Sequence, residues 1–167
     1  MSTKNLYNTE AKEKIKKMAE SIDFAMMATD LKSEPFHAIP MSTKEVDEDG
    51  NIWFLSNKNS THNHNIEKED RTHLIYADKG NFEFLSIYGQ AQITTDRSRI
   101  KELYGSGDDA WFEGVDDPNI TAIKVEPKEA WYWDTKNGKV VSLLKMLGGA
   151  ITGNKPDLGE EGKLKIK

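Results

Sequence analysis

Residues 82–95 read Phe-Glu-Phe-Leu-Ser-Ile-Tyr-Gly-Gln-Ala-Gln-Ile-Thr-Thr. Leu85, Ile87, Gly89, Ala91 and Ile93 fall on one face at a period of two, and Ser86, Gln90 and Gln92 fall on the other. That pattern predicts a long, half-buried β-strand. A strand of this length curves, and Gly89 is its natural kink. Shorter strand signals lie on both sides. Upstream they cover residues 24–29, 36–41, 52–55 and 72–77. Pro40 has no ladder donor and marks an edge, a bulge or a gap where a ligand approaches. Asp47-Glu48-Asp49-Gly50-Asn51 is a turn, which predicts a hairpin between 36–41 and 52–55. Downstream, Thr121, Ile123 and Val125 alternate, Pro127 interrupts, and Ala130-Trp131-Tyr132-Trp133 resumes the strand.

Helices are few and peripheral. Ala11, Ile15, Met18, Ala19 and Ile22 share one helical face, with Thr9 as the expected cap and Glu10 and Glu13 suited to the first turn. Ser60 is expected to cap a helix reaching about Glu69, whose almost sole apolar residue is Ile66. Asp96 caps a short helix that buries Ile100, Leu103 and Tyr104. Residues 105–118 read as an irregular loop carrying Trp111 and Phe112. Val140, Leu143, Leu144, Leu147 and Ile151 fit helical spacing, but Gly148-Gly149 leaves an extended arm as the alternative. The strands do not alternate with long helices, so a doubly wound parallel sheet does not fit. The reading is a mainly β protein: an antiparallel barrel with peripheral helices. One domain is expected over 1–153, with a loose polar tail over 154–167.

Bulk properties narrow the function. The chain has 167 residues and a net charge of −5, which argues against a nucleic-acid partner, since that needs a basic face. It has no cysteine, so thiolate metal sites, disulfides and cysteine nucleophiles are excluded. No run reaches membrane-spanning length and residues 1–5 hold no signal-peptide core, so no membrane partner and a cytoplasmic location are expected.

The chemistry concentrates in residues 53–66, Trp-Phe-Leu-Ser-Asn-Lys-Asn-Ser-Thr-His-Asn-His-Asn-Ile. An apolar strand runs into a polar turn, and a hydroxyl residue opens the helix. Ser56, Lys58, Ser60, Thr61 and His62 gather hydroxyls, a cation and unpaired first-turn N–H groups at one corner, where a phosphate can sit. The same residues also fit a polar loop capped by Ser60. Walker-loop and dinucleotide-fingerprint glycines are missing. His62 and His64 are two apart and do not face each other on a helix, so no metal site is expected. No Gly-x-Ser-x-Gly elbow surrounds Ser142 or any other serine. Asp108-Asp109 and Asp116-Asp117 read as solvated caps. Trp131 and Trp133 share one strand face, Tyr132 takes the other, and either face could border a planar ring. No catalytic residue is identified; if the protein is an enzyme, a bound cofactor supplies the chemistry.

From about Ala11 to Gly153 the chain resembles the split-barrel proteins related to pyridoxamine 5′-phosphate oxidase, and within them the general stress protein 26 group. The resemblance rests on Phe36-His37-Ala38-Ile39-Pro40-Met41, Gly50-Asn51-Ile52-Trp53-Phe54-Leu55-Ser56, Asn59-Ser60-Thr61-His62-Asn63, Ile66, Tyr76-Ala77-Asp78 and Ser86-Ile87-Tyr88-Gly89-Gln90-Ala91. Ala110-Trp111-Phe112, Tyr132-Trp133-Asp134 and Leu144-Lys145-Met146 complete the set. Each stretch is short; their order and spacing are specific. The resemblance implies a six-stranded split barrel, a homodimer, and FMN in the cleft between subunits. It implies that His37, Ala38 and Ile39 run along the flavin ring and that Leu55 and Ser56 border the ring and ribityl chain. Ser60, Thr61 and His62 would hold the phosphate, with Lys58 nearby and Trp133 lining the cleft. It implies an FMN-dependent oxidoreductase with small-molecule electron donors and acceptors. The alternatives are a flavin-sequestering protein, or a barrel for another flavin, a deazaflavin or haem. Relatives often carry Lys at the position of His62 and Arg at that of Ile39. Losing a permanent cation beside a phosphate costs about 1–3 kcal/mol, a roughly 5- to 150-fold weaker complex. The residues for a pyridoxal phosphate product are not recognisable, so vitamin B6 oxidase activity is not carried over.

Overall fold

The structure is a computed structural model and describes residues 2–135 and 159–166. Strands β1 (Ser2–Thr3) and β2 (Leu6–Tyr7) lead into helix α1 (Asn8–Ile22). Ala11, Ile15, Met18 and Ala19 are buried on the face that the periodicity predicts, and Ile22 packs against the same core. The helix start differs from expectation. Tyr7 is the N-cap and makes no side-chain cap bond, so Thr9 lies within the first turn. Strand pairing at Leu6 and Tyr7 carries the chain straight into the helix instead.

Next come β3 (Phe24–Thr29), β4 (His37–Ser42), β5 (Glu45–Val46) and β6 (Ile52–Asn57). Helix α2 (Thr61–Lys68), β7 (Arg71–Asp78), β8 (Glu83–Thr94) and helix α3 (Arg97–Leu103) follow, then β9 (Ile120–Asp134) and β10 (Glu160–Lys165). Six longer strands make the frame in the order β6–β9–β8–β7–β3–β4, every neighbour antiparallel. Its two end strands, β4 and β6, approach each other without pairing. The barrel is therefore split between them. β1, β2, β5 and β10 extend the sheet beyond the six strands that the resemblance implies.

The split also corrects a sequence expectation. Residues 36–41 and 52–55 do not form a hairpin. The turn at 47–51, with Gly50 at φ 86°, closes β5 onto β6 and sets Val46 opposite Ile52. β4 stays with β3, where Pro40 lies opposite Met26 on the edge of the frame. A missing N–H is harmless there, because the outer edge of β4 has no strand partner among the described residues.

The β8–β9 ladder holds the kink. Tyr88 opposes Glu129, yet Gly89 opposes Pro127, so Lys128 is the extra residue of a bulge. Pro127 thus does not interrupt β9, which runs unbroken through it. A Cβ on Gly89 would lie 2.5 Å from the Glu126 carbonyl oxygen, so a side chain there would force the backbone of the bulge to shift. The bulge also switches the inward parity of β9. Ile123 and Val125 enter the core before it, Ala130 and Tyr132 after it.

The tail, expected to be loose, contributes β10. Its residues pair antiparallel with β9, with Leu164 opposite Ala130, and parallel with β1 and β2. Leu164 is fully buried. The helical spacing over 140–151 and the start of the tail at 154–158 lie outside the described residues.

A second apolar cluster sits outside the barrel wall. Leu55, Ile120 and Ala122 meet Ile100 and Leu103 of α3, with Trp53, Tyr104 and Phe112 at its margin. Asp96 caps α3, as expected, by accepting from Ser98 N–H at 2.9 Å. Two of the carboxylates expected to be solvated are buried ties in the adjoining loop. Asp108 accepts from Lys44 Nζ at 2.9 and 2.8 Å, and Asp117 accepts from the N–H groups of Glu113 and Asn119 at 3.2 and 2.8 Å.

Candidate functional site

Helix α2 sits at the end of the barrel beside the split. Its apolar content is a single buried isoleucine, Ile66, so polar contacts do most of its anchoring. Ser60 is the N-cap, as the sequence predicts, and accepts from Asn63 N–H at 3.3 Å. Asn65 Nδ2 donates to Thr29 Oγ1 on β3 at 3.1 Å, and Asn63 Nδ2 donates to Thr121 Oγ1 on β9 at 2.8 Å. The helix thereby ties opposite walls together and delivers its first turn to the split.

These bonds set donor and acceptor along the chain from Thr121 through Asn63 and Ser56 to His62. Thr121 Oγ1 donates its one hydrogen to the Ser56 carbonyl at 3.2 Å, so it accepts from Asn63. That orients the amide of Asn63, 1% exposed, and leaves Oδ1 to accept from Ser56 Oγ at 2.8 Å. With its hydrogen committed to Asn63, Ser56 Oγ must accept from His62 Nε2, 2.5 Å away. Ser60 Oγ lies 3.1 Å from the same nitrogen. His62 is therefore the Nε2–H tautomer. Its Nδ1 has no hydrogen-bond partner among the described residues.

Electrostatically the corner is bare. Burial, helped by the nearby His37, pushes the His62 imidazole down to about 4, so it is uncharged at neutral pH. Lys58 is exposed, and its charge acts on Asp117 in the neighbouring loop. His37, at the start of β4, carries a buried Nδ1 with no hydrogen-bond partner, the one such side-chain atom among the described residues. The N–H groups of Thr61 and His62 lie in the first turn of α2 and have no helical acceptor. Beyond the two-residue β5, β6 has no strand partner on its split side among the described residues, and neither does β4 on its own. The split thus offers unpaired polar groups from β4, β6 and α2, and among the described residues no permanent cation is seated with them.

The structure gathers His37, Ser56, Ser60 and His62, with Thr61 exposed at the mouth. Ala38 and Ile39 follow His37 along the split edge, Ala38 exposed and Ile39 packed against the core. The Leu55 side chain turns the other way, into the cluster under α3, so only its backbone borders the split. Trp133 is not brought to the corner. Thr121 opposes Ser56, and Trp133 lies a dozen residues further along β9, roughly 40 Å for a straight strand at about 3.3 Å per residue. Trp131 and Trp133 instead border a concavity with Thr3, Asn5 and Lys163, and the Lys163 ammonium sits 4.9 Å from the Trp131 ring centre. Sequence reasoning missed Asn63 and Thr121, the two residues that orient the corner. Asn63 inside a polar helix and Thr121 on an alternating strand carry no signal until the helix docks.

The outer face of the sheet carries an apolar patch. Phe24 and Met26 on β3, Ile75 on β7 and Phe84 on β8 are all exposed. Met26 stands between Pro40 and Ile75, while Ser86 and Phe84 stand beside Trp131 and Trp133. His73 lies on the same face and shares a 2.8 Å bond between its Nε2 and Ser86 Oγ.

A mainly β frame, split between β4 and β6 with a helix N-terminus at the opening, defines a split-barrel protein. The family model described as pyridoxamine 5′-phosphate oxidase like matches residues 10–157, and the chain belongs to that family. Among solved structures, a candidate general stress protein 26 from Jannaschia sp. CCS1 is 23% identical with a TM-score of 0.77, over 93% of this chain and 98% of that one. The general stress FMN/FAD binding protein from Xanthomonas citri is 29% identical with a TM-score of 0.64, over 75% of this chain and 89% of its own. The general stress protein 26 from Bacillus anthracis str. Sterne is 21% identical with a TM-score of 0.64, over 72% and 92%. No curated protein matches the chain. Among the described residues no helix is long and apolar enough to cross a membrane, and no group of histidine and carboxylate side chains could hold a metal ion.

Proposed function

We propose that the split binds FMN and that the protein is a flavin-dependent oxidoreductase of the general stress type, working as a homodimer. The observation that carries this reading is the set of unpaired polar groups at the split, above all the buried, unpartnered Nδ1 of His37. An acceptor-rich planar ring with a phosphate tail fits them. Family membership and the FMN/FAD-binding name of the Xanthomonas citri relative support the same reading. The first-turn N–H groups of Thr61 and His62 and the hydroxyl of Ser60 would hold the phosphate. The edges of β4, at His37, Ala38 and Ile39, and of β6, at Leu55 and Ser56, would line the ring.

A bound flavin supplies one- and two-electron transfer. The chain supplies orientation and hydrogen bonds at the ring edge. The exposed apolar face of Phe24, Met26, Ile75 and Phe84 supports a second copy as its cover. Such a copy would bring an aromatic residue such as Trp133 to a corner that a single chain leaves open.

The absorption spectrum of the purified protein, before and after gel filtration with added FMN, is the test. Flavin bands that co-elute at dimer mass are expected. A colourless protein that takes up no FMN refutes the proposal. Oxidation of a reduced nicotinamide by the FMN-loaded protein then separates an oxidoreductase from a flavin-sequestering protein.

A further inference from the structure

We propose that the split takes up its phosphate together with a proton, which His62 receives at Nδ1. This rests on the flavin-phosphate reading of the same corner. The geometry leaves no other place on the ring. The chain Thr121–Asn63–Ser56 commits Ser56 as an acceptor, so Nε2 already carries hydrogen and only Nδ1 is open.

The corner also needs a charge. A phosphate monoester brings close to two negative charges at neutral pH. The groups around His62 offer little against them. From β4 comes His37, which opposes a positive charge on His62 while the corner is empty of anions. From α2 and its leading turn come His64, whose Nδ1 lies 2.8 Å from the Ser60 carbonyl oxygen, and Lys58, which is exposed to solvent and does not act on the His62 ring. β6, β9 and β3 contribute Ser56, Thr121 and Thr29, which are hydroxyls only. Among the described residues no carboxylate acts on His62.

Without a ligand, burial and His37 keep the ring neutral. A dianion placed against the first turn reverses that balance. It favours imidazolium, and the new Nδ1–H becomes a charge-assisted donor. A lysine at this position would hold its charge permanently. Histidine makes anion binding conditional on pH, tightening it up to about tenfold for each pH unit lowered while one proton is taken up per ligand.

The test is calorimetry of the full chain with FMN at pH 7.5, in buffers of different ionisation enthalpy, alongside His62→Lys. At that pH the free phosphate is mostly dianionic, its second ionisation lying near about 6. Net proton uptake by the natural chain, and its disappearance in His62→Lys with binding retained, is the expected result. Nitrogen-15 spectra of the histidine rings provide a second readout, with His62 as Nε2–H in the free protein and doubly protonated in the complex. FMN binding with equal proton uptake in both proteins overturns the coupling and leaves the flavin reading intact. A free His62 in the Nδ1–H form also overturns it. Failure of both proteins to bind FMN at any pH from 5.5 to 8 sinks the flavin reading, and this proposal with it.

Discussion

Replacing Asn63 with alanine tests the proton order of the corner. The carboxamide accepts from Ser56 Oγ at 2.8 Å and donates to Thr121 Oγ1 at 2.8 Å, and it is buried. Two hydrogen bonds are lost, each with a net worth of about 0.5–1.5 kcal/mol. Thr121 keeps its bond to the Ser56 carbonyl, so its hydroxyl loses only an incoming donor. The Ser56 hydrogen can swing to His62 Nε2, 2.5 Å away, if that nitrogen gives up its own hydrogen. A small buried void remains and adds to the cost. The sum is a loss of about 2–4 kcal/mol. For a protein of this length that corresponds to a fall in Tm of roughly 5–15 °C. Denaturant unfolding measures the first quantity. Nitrogen-15 spectra follow the second effect, a shift of His62 from Nε2–H to Nδ1–H. A loss below about 1 kcal/mol with the His62 tautomer unchanged would refute the assigned chain of donors.

Two further outcomes follow from local geometry. Gly89→Ala places a Cβ 2.5 Å from the Glu126 carbonyl oxygen at the β8–β9 bulge, and the backbone there cannot step aside cheaply. A loss of about 1–3 kcal/mol in thermal or chemical unfolding is expected, and a neutral result would mean the bulge is softer than its register implies. The pH dependence of stability carries the mark of His62. Its folded value, about 4, lies below the unfolded 6.5, so the unfolded chain binds more protons between them and stability falls as pH drops through that window. At pH 5 the full shift amounts to about 2 kcal/mol, and solvent screening of the partly exposed ring brings this to about 1 kcal/mol. His62→Gln removes this component, so the variant gains on the natural chain by about that amount between pH 7.5 and 5 in parallel urea titrations. A constant difference across the range would contradict a neutral, desolvated His62.

Several elements were legible from local pattern alone. The period-two run through Ile87 and Ala91 places β8 and its inward face, and Ala11, Ile15 and Met18 place the buried side of α1. Ser60 and Asp96 declare their helices because a cap acts within three residues of itself. Misreadings arose where a partner distant in sequence decides the outcome. The 47–51 turn is genuine, but its own residues do not say whether β4 or β5 is the strand that returns onto β6. Pro127 reads as a break until Gly89 pairs opposite it and Lys128 absorbs the extra residue. Asp108 reads as a solvated carboxylate until Lys44 is found beside it.

By itself, the sequence determines a mainly β chain and a short stretch, Ser56 to His62, rich in groups that hold an anion. Both follow from side-chain alternation and from capping, which are properties of neighbouring residues. The tertiary structure alone decides that β4 and β6 stay apart, so that their edges keep unpaired donors. It also decides that Thr121, from β9, reaches through Asn63 and Ser56 to set the hydrogen on His62. Hydrogen-bond direction passes along a chain of contacts, and that chain exists only once helix and barrel have docked. The charge state of His62 is likewise a tertiary property, because burial and the approach of His37 set it.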